Sequence, residues 1–132
     1  MDRTVIVVKP DGVSRGLTDT ILARFENDGF RITSKKNLRF TLEQAKEFYS
    51  PHVGKDFFQE LISFITSGPV VAVVIEGRNA LERARQIIGT TDPASAPKGT
   101  IRGDYGSGIT TNVVHASDSP ESFRHEWKII FG

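Results

Sequence analysis

No cysteine occurs in the 132 residues, which excludes disulfides and thiolate metal sites. That absence suits a reducing compartment, and a cytoplasmic location is expected. Long apolar runs are missing as well. The early run Val5 to Val8 is too short for the core of a signal peptide, and no cleavage-type segment follows it. Nothing approaches the roughly 20 apolar residues of a membrane helix, so no membrane partner is expected. An excess of one charge is also lacking: 17 Lys and Arg against 16 Asp and Glu leave a net charge of +1. Nucleic acid, which rewards bulk positive charge, is therefore not expected as the main partner. Any anion site must be built locally from a few convergent basic groups. Two common phosphate devices are absent too. There is no Gly-x-x-x-x-Gly-Lys-Ser/Thr loop, and no His-Asp-Arg-type catalytic loop with a partner Asp-Phe-Gly.

What remains is an ordinary globular composition, 38% hydrophobic and 25% charged. It suffices for one compact domain over residues 1–132. Thr4 to Lys9 reads as a buried strand stopped by Pro10, and Asp11-Gly12 as a turn. Leu17, Ile21, Leu22 and Phe25 recur at helical spacing up to Asp28, with Gly29 as the stop. Phe30 to Phe40 reads as a strand with one wet face. Thr41 with Gln44 forms a capping box that opens a helix running to about Tyr49. A second helical pattern spans Phe57 to Ser67 and is broken by Gly68-Pro69. Phe58 is expected in the core.

Val70 to Ile75 is a β-branched run that suits a central strand covered on at least one face. Asn79 is placed to cap a helix over Ala80 to Ile88. Gly89 to Thr111 shows no periodicity and reads as a long functional or interface loop. Asn112 to His115 reads as a short strand. Ser119-Pro120 then starts a last helix ending near Ile130. With the middle helix pair and the long loop treated as insertions, the order is βαββαβ plus a terminal helix. That predicts an α/β (α+β) ferredoxin-like sandwich with an antiparallel sheet.

Chemistry concentrates in Asn112-Val113-Val114-His115-Ala116-Ser117-Asp118-Ser119. A histidine that ends an apolar strand holds its imidazole toward the loops, and an imidazole nitrogen is a competent nucleophile near neutral pH. On local pattern alone, a merely hydrogen-bonded strand-end histidine explains the same residues. The full stretch resembles the active-site signature of nucleoside diphosphate kinases, Asn-x-x-His-Gly-Ser-Asp-Ser, in all but one specified position. Lys9-Pro10-Asp11-Gly12-Val13, Ser67-Gly68-Pro69-Val70-Val71 and Gly99-Thr100-Ile101-Arg102-Gly103-Asp104 resemble three further motifs of that family, in order and at its spacing.

The resemblance implies a kinase that moves the γ-phosphate of a nucleoside triphosphate, typically ATP, to a nucleoside diphosphate. The mechanism would be ping-pong, through phosphorylated His115. Glu126 would hydrogen-bond the other ring nitrogen of His115, and Ser117 would support that pair. Lys9, Tyr49, Arg85, Thr91 and Arg102 would bind phosphates. Lys9 and Asn112 would bind the ribose 3′-hydroxyl. Phe57 would stack on the base, with Leu61 and Ile109 lining the same slot. Asp118 would lie near Mg2+, which mostly bridges nucleotide phosphates, so no all-protein metal cage is expected. A homo-oligomer built from dimers, hexamer or tetramer, is also implied.

These residue types suit the task. Two arginines and a lysine spread the charge of a transferring phosphoryl group, and stacking recognises any base. Taken singly, Lys9 also reads as a solvated strand end, Arg83 and Arg85 as surface pairing, Tyr49 as a helix cap and Glu126 as an exposed acid. His52 and His125 read as surface residues without a role. Ala116 stands where the family most often has glycine. If positive φ were required there, alanine would cost on the order of 1 kcal/mol. Trp127 replaces a usual aliphatic residue and predicts repacking of the last helix. The alternative function is a non-catalytic nucleotide-binding module of the same fold.

Overall fold

The computed structural model describes residues 2–90, 95–107 and 112–132. Its sheet has four antiparallel strands in the order β2-β3-β1-β4. These are β1 (Asp2–Val8), β2 (Arg31–Leu38), β3 (Val70–Gly77) and β4 (Val114–Ala116). Between β1 and β2 lie α1 (Pro10–Ser14) and α2 (Thr18–Asn27). Between β2 and β3 lie α3 (Leu42–Phe48) and α4 (Phe58–Ile65), and α5 (Ala80–Ile88) and α6 (Ile101–Tyr105) precede β4. Helix α7 (Pro120–Ile130) follows it. The topology is the expected ferredoxin-like one.

Strand β1 is central, and its side chains alternate between two cores. Ile6 and Val8 pack with Phe25, Ile75 and Ile88 on the face covered by α2 and α5. Val5 and Val7 pack with Phe48, Ile62 and Ile130 under α3, α4 and α7. The run Val70–Ile75 is therefore continuous because both of its faces are buried. Each such buried aliphatic or aromatic side chain contributes about 1.5–3 kcal/mol, so β1 is a rigid base for the residues that follow it. Strand β2 is the exposed edge, with a register irregularity between Ile32 and Ser34.

Several local expectations hold. Thr41 and Gln44 form a reciprocal capping box. Ser119 caps α7 with Pro120 in its first turn. Gly29 follows α2 at φ +93°.

Others are corrected. Asp11-Gly12 lies inside the short helix α1, because Pro10 presets helical φ and Asp11 suits the first turn. Gly12 is needed there for close approach. A Cβ would stand 2.9 Å from Val8 Cγ1 and 3.0 Å from the Val113 carbonyl oxygen. Asn79 precedes α5 but its side chain caps nothing. It is left-handed, at φ 54°, whereas side-chain capping needs extended backbone. The long loop contains α6, whose N-terminus is capped by Thr100 Oγ1 accepting from the Gly103 N–H at 3.1 Å. Phe58 is only partly buried, at the rim of the second core. Trp127 does not repack α7 inward. It is 39% exposed, against Phe131.

Candidate active site

Burying a polar group without partners is costly, so the buried polar residues mark what the fold is organised around. Among the described residues they are Thr4, Lys9, Asn112, Ser117 and Glu126, and hydrogen bonds join all five into two groups. His115 Nε2 lies 2.8 Å from Glu126 Oε1, and Ser117 Oγ donates to the same oxygen at 2.8 Å. Ser117 Oγ in turn accepts from the Val5 N–H at 3.3 Å, and Thr4 Oγ1 donates to the Ser117 carbonyl at 3.3 Å. The second group is Lys9 Nζ donating to Asn112 Oδ1 at 2.9 Å.

The elements explain the placement. Strand β4 pairs with β1 so that His115 stands opposite Val7 and Ala116 opposite Ile6. The Phe48 ring meets the imidazole edge-on at 4.9 Å and fixes its plane. Glu126 comes from α7, whose capped start sets the helix phase. It is a buried acid, not an exposed one. A carboxylate only accepts, so it holds the ring proton on Nε2 and leaves the lone pair on Nδ1.

Lys9, Tyr49, Phe57, Leu61, Arg85, Arg102 and Asn112 all line one cleft with His115, Ala116 and Asp118. Every predicted site residue among the described ones is thus at this cleft or, for Glu126 and Ser117, directly behind His115. Thr91 and Ile109 lie outside the described residues. Arg85 does not share the surface pairing of Arg83. Arg83 bonds the Asp28 carboxylate at 2.8 Å and stacks on Phe30, while Arg85 faces the cleft. Tyr49 is the C-cap of α3 as well as a cleft wall.

The cleft is electropositive and poised for an anion. Burial, reinforced by the Arg102 charge, lowers the Lys9 ammonium from 10.5 to about 7. Burial, then the Arg85 charge, lowers Arg102 to about 10. Arg102 donates to the Val114 carbonyl at 2.9 Å, and its buried Nε has no hydrogen-bond partner among the described residues. Burial and the nearby Glu126 charge raise the Tyr49 phenol. Asp118 is held below the usual carboxylate range, first by the Ser122 hydroxyl, which donates to it at 2.7 Å. It is exposed at the cleft mouth, and among the described residues no three His, Asp or Glu side chains gather as a metal cage.

Ala116 lies in β4, outside the positive-φ residues, so the backbone penalty considered for alanine does not arise. The short strand starts at Val114 rather than Asn112 because Val113 has φ 65° and turns the chain. His52 was missed by sequence. It lines the cleft, with ring centroids 6.1 Å from Tyr49 and 5.6 Å from Phe57. Burial, then Lys55 and His115, lowers its pKa. Its spacing of three from Tyr49, one turn of the short 3-10 segment Ser50–His52, was the available signal. His125 instead ties α7 to α3, its Nε2 donating to the Glu47 carbonyl at 2.8 Å.

Comparison with known proteins gives consistent results. The family model described as nucleoside diphosphate kinase matches residues 2–132. The nucleoside diphosphate kinase of Staphylothermus marinus is 54% identical over 130 residues, which is 98% of this chain and 92% of the relative. The crystal structure of the Aquifex aeolicus nucleoside diphosphate kinase is similar at a TM-score of 0.95 and 48% identity, covering 99% of this chain and 95% of that one. The enzyme from Halobacterium salinarum, solved in complex with CDP, has a TM-score of 0.95 and 45% identity, covering 98% and 87%.

Proposed function

Because the chain belongs to the nucleoside diphosphate kinase family, and so transfers phosphate from nucleoside triphosphates to nucleoside diphosphates, we propose that it does so through His115 in two half-reactions. His115 Nδ1 attacks the γ-phosphorus of the donor, an N–P bond forms, and the bond to the β-phosphate oxygen breaks. The diphosphate leaves. The terminal oxygen of an acceptor diphosphate then attacks the same phosphorus, the N–P bond breaks, and free Nδ1 is restored. One observation carries this reading: Glu126 occupies Nε2 of an imidazole whose other face opens on Lys9, Arg102 and Asn112.

Arg85 and Arg102 hold the phosphates by their planar forks, and Lys9 adds a point charge where negative charge develops. Thr91 and Ile109 complete this reading as further phosphate and base contacts. Lys9 with Asn112 takes the ribose 3′-hydroxyl, and Tyr49 contacts phosphate. Phe57, 40% exposed at the cleft rim, offers its ring to the base. Leu61 lines the slot beneath it. A ring face reads no hydrogen-bond edge, so all bases are accepted. Phe57→Ala is expected to weaken each nucleotide by about 1–3 kcal/mol with little change between bases, as titration calorimetry with four nucleotides will measure. A loss confined to one base would mean a selective slot.

Members of the family need a divalent cation, and we assign Mg2+. One ionised, exposed carboxylate, Asp118, fits an ion held mainly by phosphate oxygens. Such an ion spreads the charge of the transferring group. Residues 1–132 act as one domain in this reading. The protein works in the cytoplasm as a homo-oligomer of dimers, hexamer or tetramer, for which the exposed β2 edge offers a pairing surface.

The test is incubation with γ-labelled ATP and Mg2+ without acceptor. Label that survives alkali, is lost in acid and passes to added GDP is expected. Absence of label in folded protein would leave a non-catalytic nucleotide-binding module.

A further inference from the structure

Val113 is β-branched, fully buried, and at φ 65°, a conformation that L side chains of this shape avoid. The Val114 N–H donates across it to the Asn112 carbonyl at 2.8 Å. Val113 is therefore the centre of a three-residue turn of the rare, strained hand. Strain of this kind persists only where the surroundings over-determine it, and three ties are visible. The Val113 side chain packs in the first core. Its carbonyl accepts from the Lys9 N–H at 2.9 Å. Its N–H donates to Asp11 Oδ2 at 3.1 Å. The first tie is non-directional and the second is backbone. Only the third depends on one polar side chain.

The turn has consequences on both sides. Before it, the Asn112 side chain reaches Lys9 Nζ. After it, Val114 joins the sheet opposite Val8, which sets His115 opposite Val7. Side chains alternate along a strand, so a slip of one residue would turn His115 to the other face.

We propose that Asp11 is a positioning residue. By accepting the Val113 N–H, its carboxylate holds the strained turn that sets Asn112 against Lys9 and fixes the register of His115. This rests on the phosphohistidine reading above. Without that acceptor, a buried N–H is orphaned and the turn relaxes toward extended backbone, moving the nucleophile away from its in-line position.

The experiment measures single-turnover labelling of His115 from γ-labelled ATP, the affinity for a non-transferable ATP analogue, and Tm. It uses wild type, Asp11→Ala, Asp11→Asn and Asp11→Ala with Val113→Gly. Asp11→Ala is expected to slow labelling on the order of 100-fold while analogue affinity changes little. Asp11→Asn, which keeps an acceptor oxygen but no charge, is expected to recover most of the rate. Glycine takes positive φ without side-chain cost, so the double variant is expected to regain about tenfold although its Tm falls further with the lost buried side chain. A merely structural Asp11 would give the opposite order, with the less stable double variant no faster than Asp11→Ala, and that result overturns the proposal. So does Asp11→Asn as slow as Asp11→Ala, which would assign the effect to charge, or Asp11→Ala labelling at the wild-type rate. Wild type that takes no label overturns the phosphohistidine reading, and this one with it.

Discussion

His115→Ala is expected to lose transfer by at least about 10^4-fold in kcat, the scale on which removal of a covalent nucleophile is felt, and to bind nucleotide nearly as well as wild type. The imidazole supplies the only proposed bond to phosphorus, whereas affinity comes from Arg85, Arg102, Lys9 and Phe57 around it. The fold should tolerate the change. His115 is only partly buried, in the middle of the three-residue strand β4, and Glu126 keeps its bond from Ser117. Steady-state turnover with ATP and GDP, beside calorimetry with ADP, separates the two quantities. Turnover that survives in the alanine variant would sink the phosphohistidine mechanism. Lost affinity would mean that the ring also anchors the nucleotide.

Lys9→Met should give the second largest effect, and it carries two signs. Removing one preorganised donor to a developing charge costs about 10^2–10^3-fold in kcat. Stability should move the other way. Burial, then the Arg102 charge, lowers Lys9 from 10.5 to about 7, so the unfolded chain binds this proton more tightly than the folded one. The linkage slope is then positive between pH 7 and 10.5: stability rises with pH across that window as the folded protein sheds the unfavourable charge. Below pH 7 both states are protonated and the folded state bears the whole cost, on the order of 5 kcal/mol. Methionine, of similar length and uncharged, escapes that cost. The free Lys9→Met protein should therefore unfold at higher temperature than wild type at pH 6, with the gap closing toward pH 10. Equal thermal stability at both ends would mean that Lys9 is not the strained charge inferred here. The expected trade of stability for activity is typical of a site built to receive an anion.

The sequence was most legible where local chemistry and function coincide. Periodicity placed α2, α4 and α5. The side chains of Thr41 and Ser119 predicted their own caps, because an N-cap is a contact between residues three apart. Lys9, Arg102, Asn112, His115 and Asp118 stood in recognisable motifs, and the structure brings these distant segments to one cleft. Less legible were features decided by neighbours far along the chain. Helix α6 hides in a stretch without apolar period because Thr100 caps it and only Ile101 is fully buried. Trp127 reads as repacking of the last helix, yet the phase of α7 leaves it at the surface beside Phe131. His52 looked incidental until the short turn after α3 brought it against Tyr49 and Phe57.

Sequence alone determined the class of chemistry: which side chains exist to attack, to hold phosphate and to stack on a base, and in which order they come. Identity and spacing are local properties, and they are enough for a family to be read. The tertiary structure decided how those groups are tuned. The burial that lowers Lys9, the register that sets His115 opposite Val7, the Glu126 oxygen that claims Nε2, and the positive φ of Val113 each arise from a contact between segments far apart in the chain. Desolvation, register and strain belong to the packed molecule, because they depend on what surrounds a residue rather than on what precedes it.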